Sequence, residues 1–315
     1  MEATHPGGNS PTQRTFIKPT PHELERGAKQ CVKLAREQFG QWLWAFRNLP
    51  KEQFQAVCAL ATLLHLAHSA IQERKDVPRT EAPCDQLRED LSDAFVGRFA
   101  SAPLYFLADV VARYRIPKQF IFEPLEAFDR HWRFGQPANE QEMLATATRL
   151  GGALMRQLVH VLGYEQPGFE QAALKTGQGL TLTWWLLHLA DDVRADKLRL
   201  SKSDFTACHL KPEKVLWPEP SKELNQFVRL YAQRIDHILA AGSSLYQHLN
   251  YDGQRVLRTL LGIGWKALSN ARLNPSLLRE SDGAFSDSDL FKLKARQFLG
   301  LDAPLPFASD EDHHH

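Results

Sequence analysis

The stretch from Gly177 to Leu200, GQGLTLTWWLLHLADDVRADKLRL, constrains the fold more than any other part of the chain. It is apolar as far as Leu189 and then becomes rich in charged residues. Read as a helix, it places several polar or aromatic side chains at steps of three and four residues, on one face. These side chains are Thr181, Trp184, His188, Asp191 and Asp192. An apolar helix with one polar stripe is typical of a helix that lines a cavity in a bundle, although a buried helix with a solvated acidic end has the same pattern.

The composition limits the classes of protein to which the chain can belong. It has 38 Lys and Arg residues against 37 Asp and Glu residues, so its charge balance favours neither nucleic acid nor an anionic membrane surface as a partner. The four cysteines form no CxxC pair, which predicts reduced thiols. The sequence has no signal-peptide pattern and no run of the ~18 apolar residues that a membrane span needs. We therefore expect a cytoplasmic protein without a transmembrane segment.

The rest of the chain is predicted to be helical. The string Thr20-Pro21-His22-Glu23 predicts a capped helix start, and this helix is expected to extend to residue 46. A second helix is predicted over residues 51–74, with a polar face formed by His65, His68, Ser69 and Gln72. Further helices are predicted over residues 85–99, 103–114, 118–134, 139–160, 169–200, 221–248, 252–270 and 288–299. No segment has a strand pattern, so the predicted fold class is all-α.

The ends of the chain differ from this helical region in composition. Residues 1–19 are rich in Gly, Pro, Thr and Ser without periodicity, which predicts a disordered tail. One helical domain is predicted over residues 20–300, followed by a flexible tail over residues 301–315. The last three histidines, His313–His315, are interpreted as the remnant of a purification tag and are left out of any metal site.

Two of the predicted helices resemble the aspartate-rich motifs of the squalene/phytoene synthase family. The second motif of that family aligns without a gap with Gly177–Ser201, and the matching residues are Leu180, Leu182, Thr183, Leu186, Asp192, Arg194 and Leu200. The first motif aligns with Leu49–Glu73, and the matching residues are Leu49, Pro50, Ala56, Ala59 and Glu73. The likeness extends over residues 25–299. It implies a single-domain, isoprenoid-synthase-type helical bundle around a central cavity, in which two isoprenyl diphosphates are joined head to head.

The chain departs from the family at the positions that carry this chemistry. In the first motif the aspartates and the arginine before them are replaced by His65, His68, Ser69 and Gln72. In the second motif His188 replaces the first aspartate, and only Asp192 is retained. The family uses Mg²⁺ ions to bridge diphosphate to carboxylates, and imidazole and amide groups do not replace three aspartates as Mg²⁺ ligands. We therefore predict that the chain lacks Mg²⁺-dependent condensation.

The main prediction is a diverged protein that binds an isoprenoid, another lipid-like ligand or a protein partner; a degenerate relative of the family is known among mitochondrial assembly factors. The cavity residues predicted from the two motifs are His65, His68, Ser69, Gln72, Thr181, Trp184, His188, Asp191, Asp192 and Arg194. Lys197 and Arg199 lie at or near basic positions that hold diphosphate in the family, although a run of charges is also typical of a solvated face.

Two alternatives remain open from the sequence. The first is an active isoprenyl diphosphate transferase whose acidic residues are rearranged, with Glu73, Asp191, Asp192 and Asp196 as its local carboxylates. The second is a Zn²⁺ or iron site formed between the two motif helices, whose ligands would be His65, His68, His188 and Asp192. Single hydrogen-bonded histidines in a vacated cavity would have the same sequence.

Overall fold

The computed structural model describes residues 19–72, 82–98 and 100–279. Within these ranges the chain consists of helices and loops and has no β-strand; its one β contact is an isolated bridge between Tyr164 and Leu249. The predicted all-α class is therefore confirmed. The helix expected over residues 288–299, the tail over 301–315 and most of the tail over 1–19 lie outside the described residues.

The helices follow one another along the whole described chain. The first part contains α1 (Pro21–Phe39), a 3₁₀ segment (Gly40–Phe46), α2 (Lys51–Gln72), α3 (Asp85–Phe95), α4 (Ala102–Arg113) and α5 (Lys118–Phe134). The middle part contains α6 (Glu140–Ala147), a π-helical turn (Thr148–Gly152), α7 (Ala153–Leu162), α8 (Glu170–Leu187) and α9 (Leu189–Arg194). The last part contains α10 (Lys202–Ala207), a 3₁₀ turn (Pro212–Leu216), α11 (Lys222–Gly242), α12 (Leu245–His248), α13 (Tyr251–Leu273) and a 3₁₀ turn (Pro275–Arg279).

Side-chain caps explain where several helices begin. The Thr20 hydroxyl accepts a hydrogen bond from the Glu23 backbone N–H at 3.2 Å, and the Thr20 N–H donates to the Glu23 carboxylate at 2.8 Å. This reciprocal pair confirms the predicted capping box. Asn139 likewise accepts from the Glu142 backbone N–H at 3.0 Å at the start of α6. Such bonds satisfy N–H groups that the first turn of a helix leaves without a partner.

The helices predicted over residues 169–200 and 221–248 are each divided in the structure, into α8 and α9 and into α11 and α12. Two further predicted helices are interrupted next to the cavity. The helix expected to reach residue 46 ends at Phe39, because Gly40 adopts a φ of 39° and the chain continues as a 3₁₀ segment. The helix expected over residues 139–160 contains the π-helical turn Thr148–Gly152. Both interruptions contribute side chains to the wall of the cavity described below. Single π-helical turns are often found at functional sites.

Helix α8 lies at the centre of the fold, where it packs against α6, α7, α11, α13 and the π-helical turn. A Cβ atom on Gly177 would lie 2.0 Å from the carbonyl oxygen of Gly151, so the two backbones are in direct contact at this crossing. Gln178 donates through Nε2 to the Leu144 carbonyl oxygen at 3.0 Å and to the Thr148 hydroxyl at 2.7 Å. The segment that dominates the sequence is therefore also the helix around which the others pack.

Helix α2 carries the first motif and is a long, largely apolar helix. Its segment Lys51–Ile71 is long and apolar enough to cross a membrane by length and composition, and 56% of the apolar window is buried within the fold. Core helices of globular domains meet the same criteria. All four cysteines are buried and carry free thiols, in agreement with the prediction from their spacing.

Candidate functional site

A cavity of about 480 Å³ lies between α2, α5, α7 and α8 and is closed by the 3₁₀ segment, the π-helical turn and the residues that follow α9. Its volume falls within the ~300–1,000 Å³ of typical small-molecule sites. The side chains deep in the wall are apolar and almost fully buried, and include Phe46, Val57, Leu158, Trp185 and Leu260. A central cavity, as the resemblance implied, is thus present.

The charged side chains of the wall share one end of the cavity, here called the mouth. The mouth consists of His68, Asp191, Asp192, Lys197 and Arg199. Asp192 is hydrogen-bonded to Arg199, and all five side chains line the same cavity. The cavity therefore combines an apolar wall with a group of charged side chains, as expected for a site that holds a long apolar molecule with a polar head group.

Asp192 forms an ion pair with Arg199. Arg199 donates through Nε and Nη2 to the two carboxylate oxygens of Asp192, at 2.7 and 2.6 Å. The Asp192 side chain is 8% exposed, and burial raises its pKa, while the nearby Arg199 opposes this rise. Two parallel charge-assisted hydrogen bonds of this kind fix both the position and the orientation of a carboxylate. The one aspartate retained from the family motif is consequently already paired.

Asp191 also lines the mouth and is paired with an arginine. Arg194 donates to it at 2.8 Å and also donates to the Arg279 carbonyl oxygen at 2.7 Å. Arg194 is exposed and does not line the cavity, although its place in the motif predicted that it would. The reason is that α9 ends at Arg194, where the side chain is held on the outer surface by these two bonds.

Trp184 lines the cavity as predicted from its place on α8, and forms part of an aromatic wall. Its ring centroid lies 5.8 Å from those of both Phe39 and Trp42, which also line the cavity. His188 stacks on Trp184 with a centroid distance of 4.1 Å and donates through Nδ1 to the Trp184 carbonyl oxygen at 2.8 Å. His188 itself does not line the cavity, because α8 ends there with a non-helical φ of −99° and ψ of 17°.

The polar face of α2 reaches the cavity only in part. His68 lines the mouth, whereas His65 lies 3.3 Å from the Gln38 side-chain oxygen and, like the half-buried Ser69, is not part of the wall. The side chain of Gln72 lies outside the described part of the structure. Thr181, the last residue of the predicted set, lines the cavity next to Gly151.

His68 lies in a positively charged environment. Partial burial at the mouth lowers its pKa from the ordinary value, and the nearby charges of Arg199 and Lys197 lower it further. In the family this position carries an aspartate that binds Mg²⁺. Such a ligand binds the ion only where the surrounding charges stabilise a cation. Arg199 and Lys197 thus disfavour a further positive charge at the position of His68.

The four side chains predicted to bind a transition metal do not converge on the cavity in the described structure. Among the described residues, no group of three or more His, Cys, Asp or Glu side chains is placed to hold a metal ion. Of the four predicted ligands, only His68 and Asp192 line the cavity, and Asp192 is bound by Arg199; His65 and His188 hydrogen-bond elsewhere. The described arrangement of the helices therefore gives the Zn²⁺ or iron alternative no support.

Mg²⁺ does not fit the described mouth either. Mg²⁺ requires oxygen ligands in a near-octahedral arrangement. The two carboxylates of the mouth, Asp191 and Asp192, come from one side of the cavity, and each is paired with an arginine. The facing helix α2 contributes His68 instead of a carboxylate. Glu73, the remaining acidic residue of the first motif, lies outside the described residues.

Four side chains that line the cavity were not in the predicted cavity set, although Lys197 and Arg199 had been noted at or near positions that hold diphosphate in the family. Phe39 and Trp42 belong to the helix end and the 3₁₀ segment, where helical periodicity gives no guidance. Lys197 and Arg199 follow α9 in a non-helical segment and are two residues apart. A spacing of two is that of one face of an extended chain, and this was the available signal that both cations point to the same side.

Comparisons with known proteins agree with this architecture. A sequence profile described as squalene/phytoene synthase matches residues 41–279. No curated protein sequence matches significantly. Solved structures with the same fold include a dehydrosqualene synthase in complex with ligand. Its TM-score is 0.77 at 19% sequence identity, and the match covers 89% of this chain and 98% of that chain.

Two further structures are similar at lower scores. Squalene synthase HpnC from Alicyclobacillus acidocaldarius has a TM-score of 0.67 at 15% identity, covering 81% of this chain and 96% of that chain. YisP from Bacillus subtilis has a TM-score of 0.66 at 17% identity, with coverages of 87% and 97%. Identities this low show the fold, while the profile spans well over half of the sequence. On that match, the chain belongs to the squalene/phytoene synthase family.

Proposed function

We propose that this chain binds an isoprenoid or a similar lipid-like molecule in its cavity and does not catalyse Mg²⁺-dependent condensation of isoprenyl diphosphates. The observation that carries the proposal is the ion pair between Asp192 and Arg199. Asp192 is the one aspartate at the aligned motif positions, and a metal could use it only after displacing the guanidinium. Both partners are largely shielded from water, with side-chain exposures of 8% and 27%, so the pair is strongly held.

The substitutions around this pair support the same conclusion. Where the family places Mg²⁺ ligands, the mouth has His68, and His188 is stacked on Trp184 outside the cavity wall. Neither imidazole is a ligand that Mg²⁺ prefers. Without bridging cations the negative charge of a departing diphosphate would not be neutralised, and this neutralisation is what the metal supplies in such reactions.

The interior of the cavity supports ligand binding. An apolar volume of about 480 Å³ is present, and removing the apolar surface of a ligand from water contributes roughly 25 cal/mol per Å². A dehydrosqualene synthase with the same fold holds a ligand. We favour ligand binding over a purely protein-binding role because the fold encloses a cavity of about 480 Å³, which contact with a protein surface does not require.

The test is an assay of diphosphate release. Purified protein is incubated with farnesyl or geranylgeranyl diphosphate and Mg²⁺, and we expect no release above the protein-free background. Solvent extraction and mass spectrometry of the freshly purified protein should instead reveal a bound lipid-like molecule.

Steady release of diphosphate would contradict the proposal if it disappears in Asp192→Asn. The matched control is Asp252→Asn, an exposed aspartate on α13 that should leave any activity unchanged. That result would establish the alternative, an active transferase with rearranged acidic residues drawn from Glu73, Asp191, Asp192 and Asp196.

A further inference from the structure

The volume of the cavity limits how many ligand chains it can hold. The cavity measures about 480 Å³. A protein cavity of about 150 Å³ holds one benzene molecule of six carbons, which corresponds to roughly 25 Å³ for each carbon of an apolar ligand. On this scale one chain of 15 carbons needs roughly 375 Å³, and two such chains need roughly 750 Å³. One farnesyl-sized chain therefore fits into the cavity, and two do not.

The charged end of the cavity reduces the space for an apolar chain further. Asp192 and Arg199 line this end and form an ion pair there. A hydrocarbon chain against these side chains would remove water from charged groups without offering them hydrogen bonds, which costs free energy. The chain is therefore confined to the apolar part of the wall. A chain of 20 carbons, which needs roughly 500 Å³ on the same scale, exceeds that part.

Three aromatic rings of the wall restrict the apolar space. Trp184 lies at the centre of this group, and its ring centroid is 5.8 Å from those of Phe39 and Trp42. All three side chains line the cavity and pack against the hydrophobic core. At this spacing the rings are packed against one another, so a ligand chain does not pass between them. The Trp184 ring occupies space that a smaller side chain on α8 would leave to the ligand.

These rings are supported from behind and have little space to move aside. A Cβ atom on Gly264 of α13 would lie 3.6 Å from Cη2 of Trp42 and 3.2 Å from Cδ2 of Leu180, so the α13 backbone is close to the wall. His188 stacks on Trp184 from outside the cavity wall, with a centroid distance of 4.1 Å. Protein interiors packed in this way have low compressibility. The volume is thus a property of the fold that a ligand must match.

We infer that the cavity holds one isoprenoid chain of about 15 carbons, and that Trp184, together with Phe39 and Trp42, sets this limit. The inference rests on the proposed function, because it gives the number and the length of the chains that the site binds. It also adds a steric reason for the predicted absence of head-to-head condensation, since that reaction requires two chains in one cavity.

The experiment measures how affinity and stoichiometry depend on chain length. Geraniol, farnesol and geranylgeraniol have the same head group and differ by one isoprene unit each, and isothermal titration calorimetry of the full-length protein compares them. We expect a stoichiometry of about one farnesol per protein chain. The affinity should rise about tenfold or more from geraniol to farnesol, because additional apolar surface is buried. It should rise less than about threefold from farnesol to geranylgeraniol, because the last unit finds no space.

Variants of the aromatic wall test which side chain sets the limit. Trp184→Ala frees space for about one isoprene unit, so the affinity for geranylgeraniol should rise about tenfold above that for farnesol. Trp184→Leu, which disturbs the core less, should show the same preference to a smaller extent, and it decides the question if Trp184→Ala does not fold. The control Trp217→Ala removes a tryptophan that is 49% exposed and does not line the cavity, and should keep the wild-type profile.

Each other outcome has a definite meaning. Two farnesol molecules bound per protein chain would overturn the inference and leave the proposed function standing. An affinity that rises from farnesol to geranylgeraniol as steeply as from geraniol to farnesol would do the same. A wild-type profile in folded Trp184→Leu would overturn the role of Trp184. If circular dichroism shows a folded wild-type protein that binds none of the three alcohols, both the inference and the proposed function fail.

Discussion

The interior of the cavity and its mouth differ in how they relate to the rest of the family. The interior is an apolar volume walled by Trp184, Leu158 and Leu260, as a bundle that holds an isoprenoid chain requires. At the mouth, His68 occupies an aspartate position and Asp192 is paired with Arg199. The proposed function thus assigns the binding of the apolar chain and of the head group to separate sets of residues, so one set can change while the other is kept.

The physical requirements of the two regions explain this separation. Burial of an apolar chain is non-directional and depends on volume and surface, so many combinations of apolar side chains satisfy it. Binding Mg²⁺ depends on the number and geometry of oxygen ligands, so the loss of two or three carboxylates removes it. The following predictions test whether the two regions are independent.

The largest effect on stability is expected in the interior. Trp184→Ala removes the ring that packs near Phe39 and Trp42 and stacks on His188, and should lower the free energy of unfolding by about 3 kcal/mol. It should also widen the cavity and improve binding of chains longer than farnesol. Urea denaturation measures the loss of stability.

The matched control for this change is Trp217→Ala. Trp217 is 49% exposed on the surface, and its removal should lower the free energy of unfolding by about 1 kcal/mol or less. Equal losses for the two variants would show that Trp184 is not an integral part of the interior wall.

A smaller effect is expected at the mouth. Asp192→Ala leaves the Arg199 guanidinium without its partner and should lower the free energy of unfolding by about 2 kcal/mol. This loss is smaller than for a fully buried pair, because the cost of burying the carboxylate offsets part of the stability that the ion pair contributes. Asp191→Ala, the adjacent pair with side chains 43% and 51% exposed, should change stability by less than about 0.5 kcal/mol. Midpoints of urea denaturation that shift equally in both variants would contradict the tight pairing of Asp192.

The smallest effect concerns the titration of His68. Its pKa in the folded protein should lie below the ordinary 6.5, because partial burial and the cations Arg199 and Lys197 disfavour the imidazolium. The unfolded chain then binds more protons at His68 than the folded protein does. The stability that depends on a neutral His68 is therefore complete above pH 6.5 and is lost as the pH falls towards the folded pKa. NMR titration should show the pKa rising in Lys197→Gln and unchanged in Lys33→Gln. A pKa above 6.5 would mean that the mouth is not positively charged.

Much of the fold could be predicted from periodicity and capping. Helix α5 has both of its predicted ends, and the capping box at Thr20 is formed as expected. The 3₁₀ segment after Phe39 was not predicted, because Trp42 and Phe46 also fit a helical pattern and only the backbone of Gly40 reveals the interruption.

Less of the site could be predicted, for reasons that particular residues show. His188 shares the helical spacing of Trp184 and Asp191, yet α8 ends at His188 and its ring is held on Trp184 instead of lining the cavity. Arg199 comes seven residues after Asp192 in a non-helical segment, where no periodic rule predicts the pair. That contact depends on the three-dimensional path of the chain after α9.

The independence of interior and mouth is tested most directly by the affinity of farnesyl diphosphate measured with and without Mg²⁺. Isothermal titration calorimetry should give the same dissociation constant in millimolar Mg²⁺ and in EDTA, because the interior binds the chain and the mouth holds no metal. A tightening of about tenfold or more with Mg²⁺, equivalent to about 1.4 kcal/mol, that is lost in Asp192→Asn would contradict this expectation and show that the mouth still binds diphosphate through the metal.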